Sequence, residues 1–148
     1  MRLIKIIAAL ILGYTFFYIF FDFAFIDQNS SSMVPTLYPG DRFFYFRYSK
    51  PVRNGVFIID DPRNPDHKLV KRIIGLPGEV VNYDSRPYTI PPNHYFILGD
   101  NTDLYWGLDI QEPAISLDSR SLGPIYEGLI HERVVLIWWP PDHMRWVW

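Results

Sequence analysis

The chain lacks cysteine and carries almost no net charge. Across its 148 residues, the absence of cysteine excludes disulfide bridges, thiolate zinc sites and a cysteine nucleophile, and it leaves the redox compartment open. The formal net charge is −2 and neither half is strongly basic, which argues against a nucleic-acid partner. The four histidines lie in no recognisable triad context, and His131–Val135 lacks the second histidine of a zinc-protease helix. We therefore predict no metal and no other cofactor.

One long apolar segment opens the chain. Leu3–Phe21 contains a single charge, Lys5, and is long enough to span a bilayer as a helix. Arg2 and Lys5 lie at the N-terminal end of the segment and Asp22 follows it, which favours a cytoplasmic N-terminus. The segment is longer than the core of a cleavable signal peptide and has no polar helical face. We predict a transmembrane anchor over residues 1–22 and one domain over residues 23–148 on the outer side.

The sequence after the anchor is typical of a mostly β domain. Short apolar or aromatic runs alternate with turn-forming residues, and the thirteen prolines of the chain disfavour long helices. The predicted strands are Arg42–Tyr48, Gly55–Ile59, Leu69–Ile74, Glu79–Tyr83, Tyr95–Leu98 and Val134–Trp139.

Two residues in this domain carry a possible chemistry. A serine such as Ser32 needs a neighbouring base before it can act as a nucleophile, and a lysine can be that base if burial lowers its pKa. In an extended strand, Lys71 shares one face with the apolar Leu69 and Ile73. The loop of Ser32 contains Pro35 and apolar neighbours that can hold it in place.

Four runs in this order resemble the motifs of type I signal peptidases. They are Ser32–Leu37, Lys71–Glu79, Gly99–Asn101 and Ser116–Gly123. The resemblance implies a compact signal-peptidase-like β fold behind one transmembrane helix. It also implies a membrane-bound serine endopeptidase that removes signal peptides from exported preproteins.

The resemblance assigns roles to individual residues. It makes Ser32 the nucleophile and Lys71 the general base, and it makes the Ser30 hydroxyl and the Ser32 amide the donors to the oxyanion. Ser116 would orient the lysine, and Asp118 and Arg120 would form an ion pair that supports this loop.

The resemblance and the residue positions also predict partners and a location. Residues beside the two catalytic positions are candidates for a substrate groove with pockets for small side chains; they are Ile26, Gln28, Leu69 and Val70. The expected partners are preproteins with N-terminal signal peptides, the lipid bilayer and the secretion translocon. The expected location is the bacterial cytoplasmic membrane.

Two features leave alternatives open. Residues Thr102–Ile115 form an insertion between the Gly-Asp-Asn run and Ser116 that family members usually lack. A mitochondrial inner-membrane peptidase would share most of the motifs, and a non-catalytic membrane-tethered β domain acting as a binding or assembly factor would keep the same fold. Self-cleaving repressors use the same chemistry but need a DNA-binding module, whose place the apolar segment takes.

Overall fold

An N-terminal helix and a mostly β domain make up the molecule. The structure is a computed structural model and describes residues 2–83, 86–101 and 116–148. These elements confirm the predicted fold class. The insertion predicted at 102–115 lies outside the described residues. In chain order the elements are α1 (Arg2–Phe20), β1 (Phe21–Phe25), β2 (Arg42–Phe46), β3 (Val56–Asp61), β4 (Asn64–Gly75), β5 (Val80–Tyr83), β6 (Arg86–Thr89), β7 (His94–Leu98), α2 (Ser119–Leu122), β8 (Ile125–Tyr126), β9 (Ile130–Trp139) and β10 (Arg145–Trp146).

Helix α1 has the length and composition of a membrane span. The helix has 19 residues, an 18-residue window of it has a mean hydropathy of 2.1, and none of its residues is buried inside the domain. The helix ends at Phe20 and the chain continues directly into β1. Aromatic rings at this junction pack against β2, where Phe17 contacts Phe44 and Phe20 contacts Phe46.

Antiparallel pairing joins the strands into one large sheet. The strand order is β1-β2-β9-β3-β4-β7-β8, and β10 pairs with Leu136 and Ile137 of β9, beyond the residues that pair with β3. Strands β5 and β6 form a separate hairpin. This order places β4 at the centre of the domain, between β3 and β7.

The sheet buries apolar side chains on both faces around β3. Ile58 packs into a cluster with Met33, Leu37 and Val134, whereas Phe57 and Ile59 pack into a second cluster. Alternate side chains of a strand point to opposite faces, so one strand can supply both clusters. Elements on either side of β3 are therefore fixed against a packed core.

The predicted strands are all present, but their limits and number differ. Strand β4 begins at Asn64 rather than Leu69, because a tight turn brings Asn64 opposite Asp61 and extends the pairing. The Asp61 carboxylate stabilises this turn by accepting from the amide of Arg63. Strand β1 was missed because no turn separates it from the apolar helix. Strands β6, β8 and β10 were also missed, and the last two contain only two residues each.

The end of β7 lies against the backbone of the Ser32 loop. A methyl group built on Gly99 would come within 2.5 Å of the Ser32 carbonyl oxygen and 2.9 Å of the Ser116 hydroxyl. Only glycine permits this approach, because a backbone atom cannot move aside as the end of a flexible side chain can.

We predict that Gly99→Ala lowers the free energy of unfolding by about 1 to 3 kcal/mol, the usual cost of overpacking. Thermal unfolding in detergent measures the change. Gly13→Ala is the matched control, since nothing lies within 4 Å of the added methyl group. Equal losses of stability in both variants would contradict the close approach.

Candidate active site

A lysine and a serine from distant parts of the chain meet inside the domain. Lys71 lies on the same face of β4 as Leu69 and Ile73, and only 3% of its surface is exposed. Its Nζ atom lies 2.6 Å from the Ser32 Oγ atom and 3.0 Å from the carbonyl oxygen of Val70. The strand alternation inferred from the sequence accounts for the burial of Lys71.

Burial changes the acidity of this lysine. The pKa of Lys71 falls from 10.5 to about 8, chiefly because the buried ammonium loses its hydration. Asp118 and Asp100 raise this pKa, and Arg120 lowers it. A neutral amine therefore exists in quantity near pH 8. At 2.6 Å from the Ser32 hydroxyl, such an amine can accept a proton, as general-base catalysis requires.

Packing and backbone hydrogen bonds hold the loop that carries Ser32. Met33 and Leu37 are buried in the core, as the sequence suggested for the apolar residues of this loop. The amide of Asn101 donates to the Ser32 carbonyl at 3.0 Å, and its side-chain Nδ2 donates to the Ser31 carbonyl at 3.1 Å. Asn101, which follows β7, thus fixes the backbone on both sides of the Ser31–Ser32 peptide bond.

Two donors near Ser32 remain available. Among the described residues, neither the Ser32 amide nor the Ser30 hydroxyl donates a hydrogen bond to a protein acceptor. Both serines line one cavity of about 290 Å³ together with Lys71, Leu69 and Ser116. We call this space the nucleophile cavity. Free donors beside a nucleophile suit a site in which negative charge develops on oxygen.

Arg72 joins several segments around the pair, a role that the sequence did not predict. Its guanidinium donates to both carboxylate oxygens of Asp100, at 2.8 and 2.6 Å. It also donates to the Thr36 hydroxyl at 3.1 Å and to the Trp148 carbonyl at 2.6 Å. The sequence signal for this role was strand alternation, which places Arg72 on the face opposite Lys71. An arginine on that face would need an acidic partner.

The described part of the loop around Asp118 contains an ion pair whose carboxylate is buried and whose arginine is exposed. Asp118 is fully buried, and its carboxylate accepts from the Arg120 guanidinium at 3.0 and 2.7 Å and from the Gly99 amide at 3.1 Å. Asp118 also caps α2 through the Arg120 amide. The structure thus brings the two predicted partners together and ties them to the end of β7.

Ser116 does not make the hydrogen bond that the sequence led us to expect. Its buried hydroxyl makes no hydrogen bond to the Lys71 amine, which is held by Ser32 and the Val70 carbonyl instead. The predicted contact is therefore corrected. Ser116 nevertheless lines the nucleophile cavity, because its hydroxyl lies beside the Gly99 position next to Ser32.

A second cavity extends the first along β4. It has a volume of about 470 Å³ and shares Asp27, Ser30, His67, Leu69 and Lys71 with the nucleophile cavity. We call it the long cavity. Of the four predicted groove residues, three line it; they are Ile26, Leu69 and Val70. The volume exceeds what small side chains alone would need.

Gln28 lies outside this groove. Its side chain packs over Gly40 and lines a separate cavity with Arg42. The chain turns at Gln28 and Asn29, so the strand alternation that keeps Ile26 in the groove no longer applies to Gln28.

The remaining candidates for chemistry near Ser32 are a histidine base and a metal ion. His67 lines both cavities, but its recorded hydrogen-bond partner is Asp61, at 3.3 Å, rather than Ser32. Among residues 2–83, 86–101 and 116–148, no group of three or more His, Asp or Glu side chains is placed to hold a metal ion.

Comparison with known proteins identifies relatives. The model of the family described as signal peptidase, peptidase S26, matches residues 1–89. The Arabidopsis thaliana mitochondrial ATP-independent inner membrane protease subunit 1b is 32% identical over 74% of this chain and 66% of its own length. Mouse mitochondrial inner membrane protease subunit 2 is 30% identical over 80% and 67%, respectively. Subunit 1 of the fission yeast Schizosaccharomyces pombe is 32% identical over 78% and 73%.

These relatives correct one prediction. The bacterial cytoplasmic membrane was the wrong expectation, because the plant, mouse and yeast relatives are proteases of the mitochondrial inner membrane. The shared motifs do not separate the two locations, so sequence motifs alone could not decide. The match spans just under two thirds of the plant relative's length.

The depressed pKa of Lys71 predicts a pH-dependent cost in stability. Between the folded pKa of about 8 and the unfolded value of 10.5, the unfolded chain binds more protons, so stability rises with pH. Below about pH 8 the buried lysine is protonated in both states, and the loss of stability caused by burying its charge is complete. We expect Lys71→Met to raise the free energy of unfolding at pH 7 by about 1 to 3 kcal/mol, after allowance for the lost hydrogen bonds.

Chemical unfolding at pH 7 and pH 10.5 measures this gain, which should nearly vanish at the higher pH. Lys50→Met is the control, because Lys50 is exposed. A gain that is absent at pH 7, or that is unchanged between the two pH values, would contradict the buried lysine.

Proposed function

The chain belongs to the signal peptidase family S26, and from this premise we propose that it is a membrane-bound serine endopeptidase with a Ser32–Lys71 catalytic dyad. The observation that carries the proposal is the 2.6 Å contact between the Lys71 amine and the Ser32 hydroxyl. Burial lowers the pKa of this lysine to about 8.

The proposed reaction proceeds through an acyl-enzyme. The neutral Lys71 amine takes the proton of the Ser32 hydroxyl while Oγ attacks the peptide carbonyl carbon. The C–N bond then breaks, Lys71 gives its proton to the departing amine, and an ester with Ser32 remains. A water molecule then attacks the ester carbonyl while Lys71 removes a proton from that water. The proton returns to the Ser32 oxygen as the acid product leaves.

The oxyanion has two candidate donors. The Ser32 amide and the Ser30 hydroxyl both border the nucleophile cavity and have no protein acceptor among the described residues. We assign them to the negative oxygen of the tetrahedral intermediate. Removing one such donor typically lowers turnover by about 100- to 1,000-fold.

The substrate class and location follow from the relatives. They are named as proteases of the mitochondrial inner membrane, and the family model describes signal peptidases. We therefore propose that the chain cleaves signal-bearing precursor proteins at that membrane. Helix α1 would be the anchor, and residues 23–148 would form the peptidase domain. An extended precursor segment would lie along β4, as peptides often do beside a strand.

Dyad variants test the mechanism. Detergent-solubilised protein is incubated with signal-bearing precursors, and mass spectrometry locates the cleaved bond. We expect Ser32→Ala and Lys71→Ala to lower kcat by at least about 1,000-fold, since loss of a nucleophile or its base removes the chemical step.

Ser31→Ala and Lys50→Ala are the matched controls and should keep most of the activity. Equal cleavage by all variants would place the reaction elsewhere. Absence of cleavage by the unchanged protein would favour a non-catalytic membrane-tethered β domain.

The pH profile tests which group is the base. We expect kcat/KM to rise about tenfold per pH unit up to about pH 8, the pKa of Lys71, and then to level off. Arg120→Gln should move this limb to higher pH, because the Arg120 charge lowers the Lys71 pKa. A limb near pH 6.5 that disappears in His67→Gln would instead indicate a histidine base.

A further inference from the structure

The charges around the long cavity are unevenly compensated. Its basic side chains at the rim have acidic partners, since Lys68 pairs with Asp60 and His67 lies 3.3 Å from Asp61. Its two carboxylates, Asp27 and Glu132, form no ion pair within the described residues. Among the described residues, the two unpaired acids of this wall therefore outnumber its one base without a carboxylate partner, Lys71.

Glu132 is the acid that belongs to the long cavity alone. Asp27 borders both cavities, and its carboxylate already accepts from the Asn29 amide at 2.8 Å. Glu132 lies on β9, and the residue before it, His131, pairs with Asp60. Burial chiefly raises the pKa of Tyr45, which lines the same cavity, and the charges of Asp22 and Glu132 raise it further.

The rest of the wall near Glu132 is largely apolar. Phe43, Ile58 and Val70 border the same space. Charges inside an enclosed space are screened less than in open water, so a cation brought beside the Glu132 carboxylate gains more there than in solution. The volume of about 470 Å³ leaves room for a long side chain, and an aliphatic stem would suit the apolar wall while its charged end reaches the acid.

The position of the cavity selects one substrate residue. If the residue acylated on Ser32 points into the nucleophile cavity, alternation along an extended peptide directs the residue two places earlier to the same side. Two residues of an extended peptide span about 6.6 Å. A side chain displaced by that length from the nucleophile cavity would enter the adjoining long cavity. That residue is the third before the cleaved bond.

We infer that the long cavity recognises a lysine or arginine side chain at the third residue before the cleaved bond, through the Glu132 carboxylate. The inference rests on the proposed peptidase function and names a specificity for it. It differs from the sequence expectation of small-residue pockets.

Peptides that differ at one residue test the inference. A precursor-derived peptide is prepared with Lys, Met or Glu at the third residue before the cut, and kcat/KM is measured at low salt. We expect Lys to exceed Met by at least about 5-fold, as a partly desolvated ion pair would give, and Glu to be the poorest substrate. Higher ionic strength should reduce the preference.

Variants at Glu132 locate the selectivity. Glu132→Gln should remove most of the preference for Lys, and Glu132→Lys should reverse it in favour of Glu. The matched control is Glu127→Gln, since Glu127 lies outside both cavities. An unchanged Lys preference in Glu132→Gln, or no preference in the unchanged protein, would overturn the inference.

A binding experiment separates this inference from the catalytic proposal. Fluorescent versions of the three peptides are titrated against Ser32→Ala protein, and anisotropy reports their affinities. Tighter binding of the Lys peptide that depends on Glu132 supports the recognition site even if no peptide is cleaved, an outcome that would refute only the peptidase function. Equal affinities for all three peptides would overturn the recognition site even if cleavage occurs.

Discussion

The burial of Lys71 beside Ser32 is the constraint on which the rest of the site depends. A lysine in water is protonated near neutral pH and cannot accept a proton, so the protein must remove most of its hydration. Burial also weakens the fold, because a charged amine in the interior is costly until it loses its proton. The centre of β4 can bear this cost, since apolar clusters on both faces of the sheet surround it. Stability and a proton-accepting amine are therefore opposed at one side chain.

Holding Ser32 against this amine requires contacts from several segments. The Ser32 loop is anchored in the core by Met33 and Leu37, but side-chain packing alone leaves the backbone free to shift. The end of β7 removes that freedom, because Asn101 binds the loop backbone and Gly99 approaches the Ser32 carbonyl. The segment from β7 to Asn101 therefore fixes the position of the Ser32 backbone.

The sequence predicted the inward side chain of Lys71 better than the contacts around it. Strand alternation foresaw the inward face of Lys71, since a period of two needs no knowledge of tertiary partners. It failed for Gln28, where the chain turns, and for β1, where no turn residue marks the change from helix to strand. The absence of the Ser116 contact could not be foreseen either, because hydrogen-bond geometry depends on how loops far apart in sequence dock. Location depended on relatives, since the same motifs serve more than one membrane.

The fixed charges near Lys71 are arranged so that burial dominates its pKa. Asp118 raises the pKa and Arg120 lowers it, and these two residues form one ion pair. Asp100 also raises the pKa, but its carboxylate is held by the Arg72 guanidinium. An unpaired acid at either position would favour the ammonium and silence the amine at neutral pH. Arginine suits both pairs because its charge persists at any pH where the lysine titrates and its planar fork fixes the carboxylate by two bonds. The opposed effects of Asp118 and Arg120 thus leave desolvation as the main cause of the lowered Lys71 pKa.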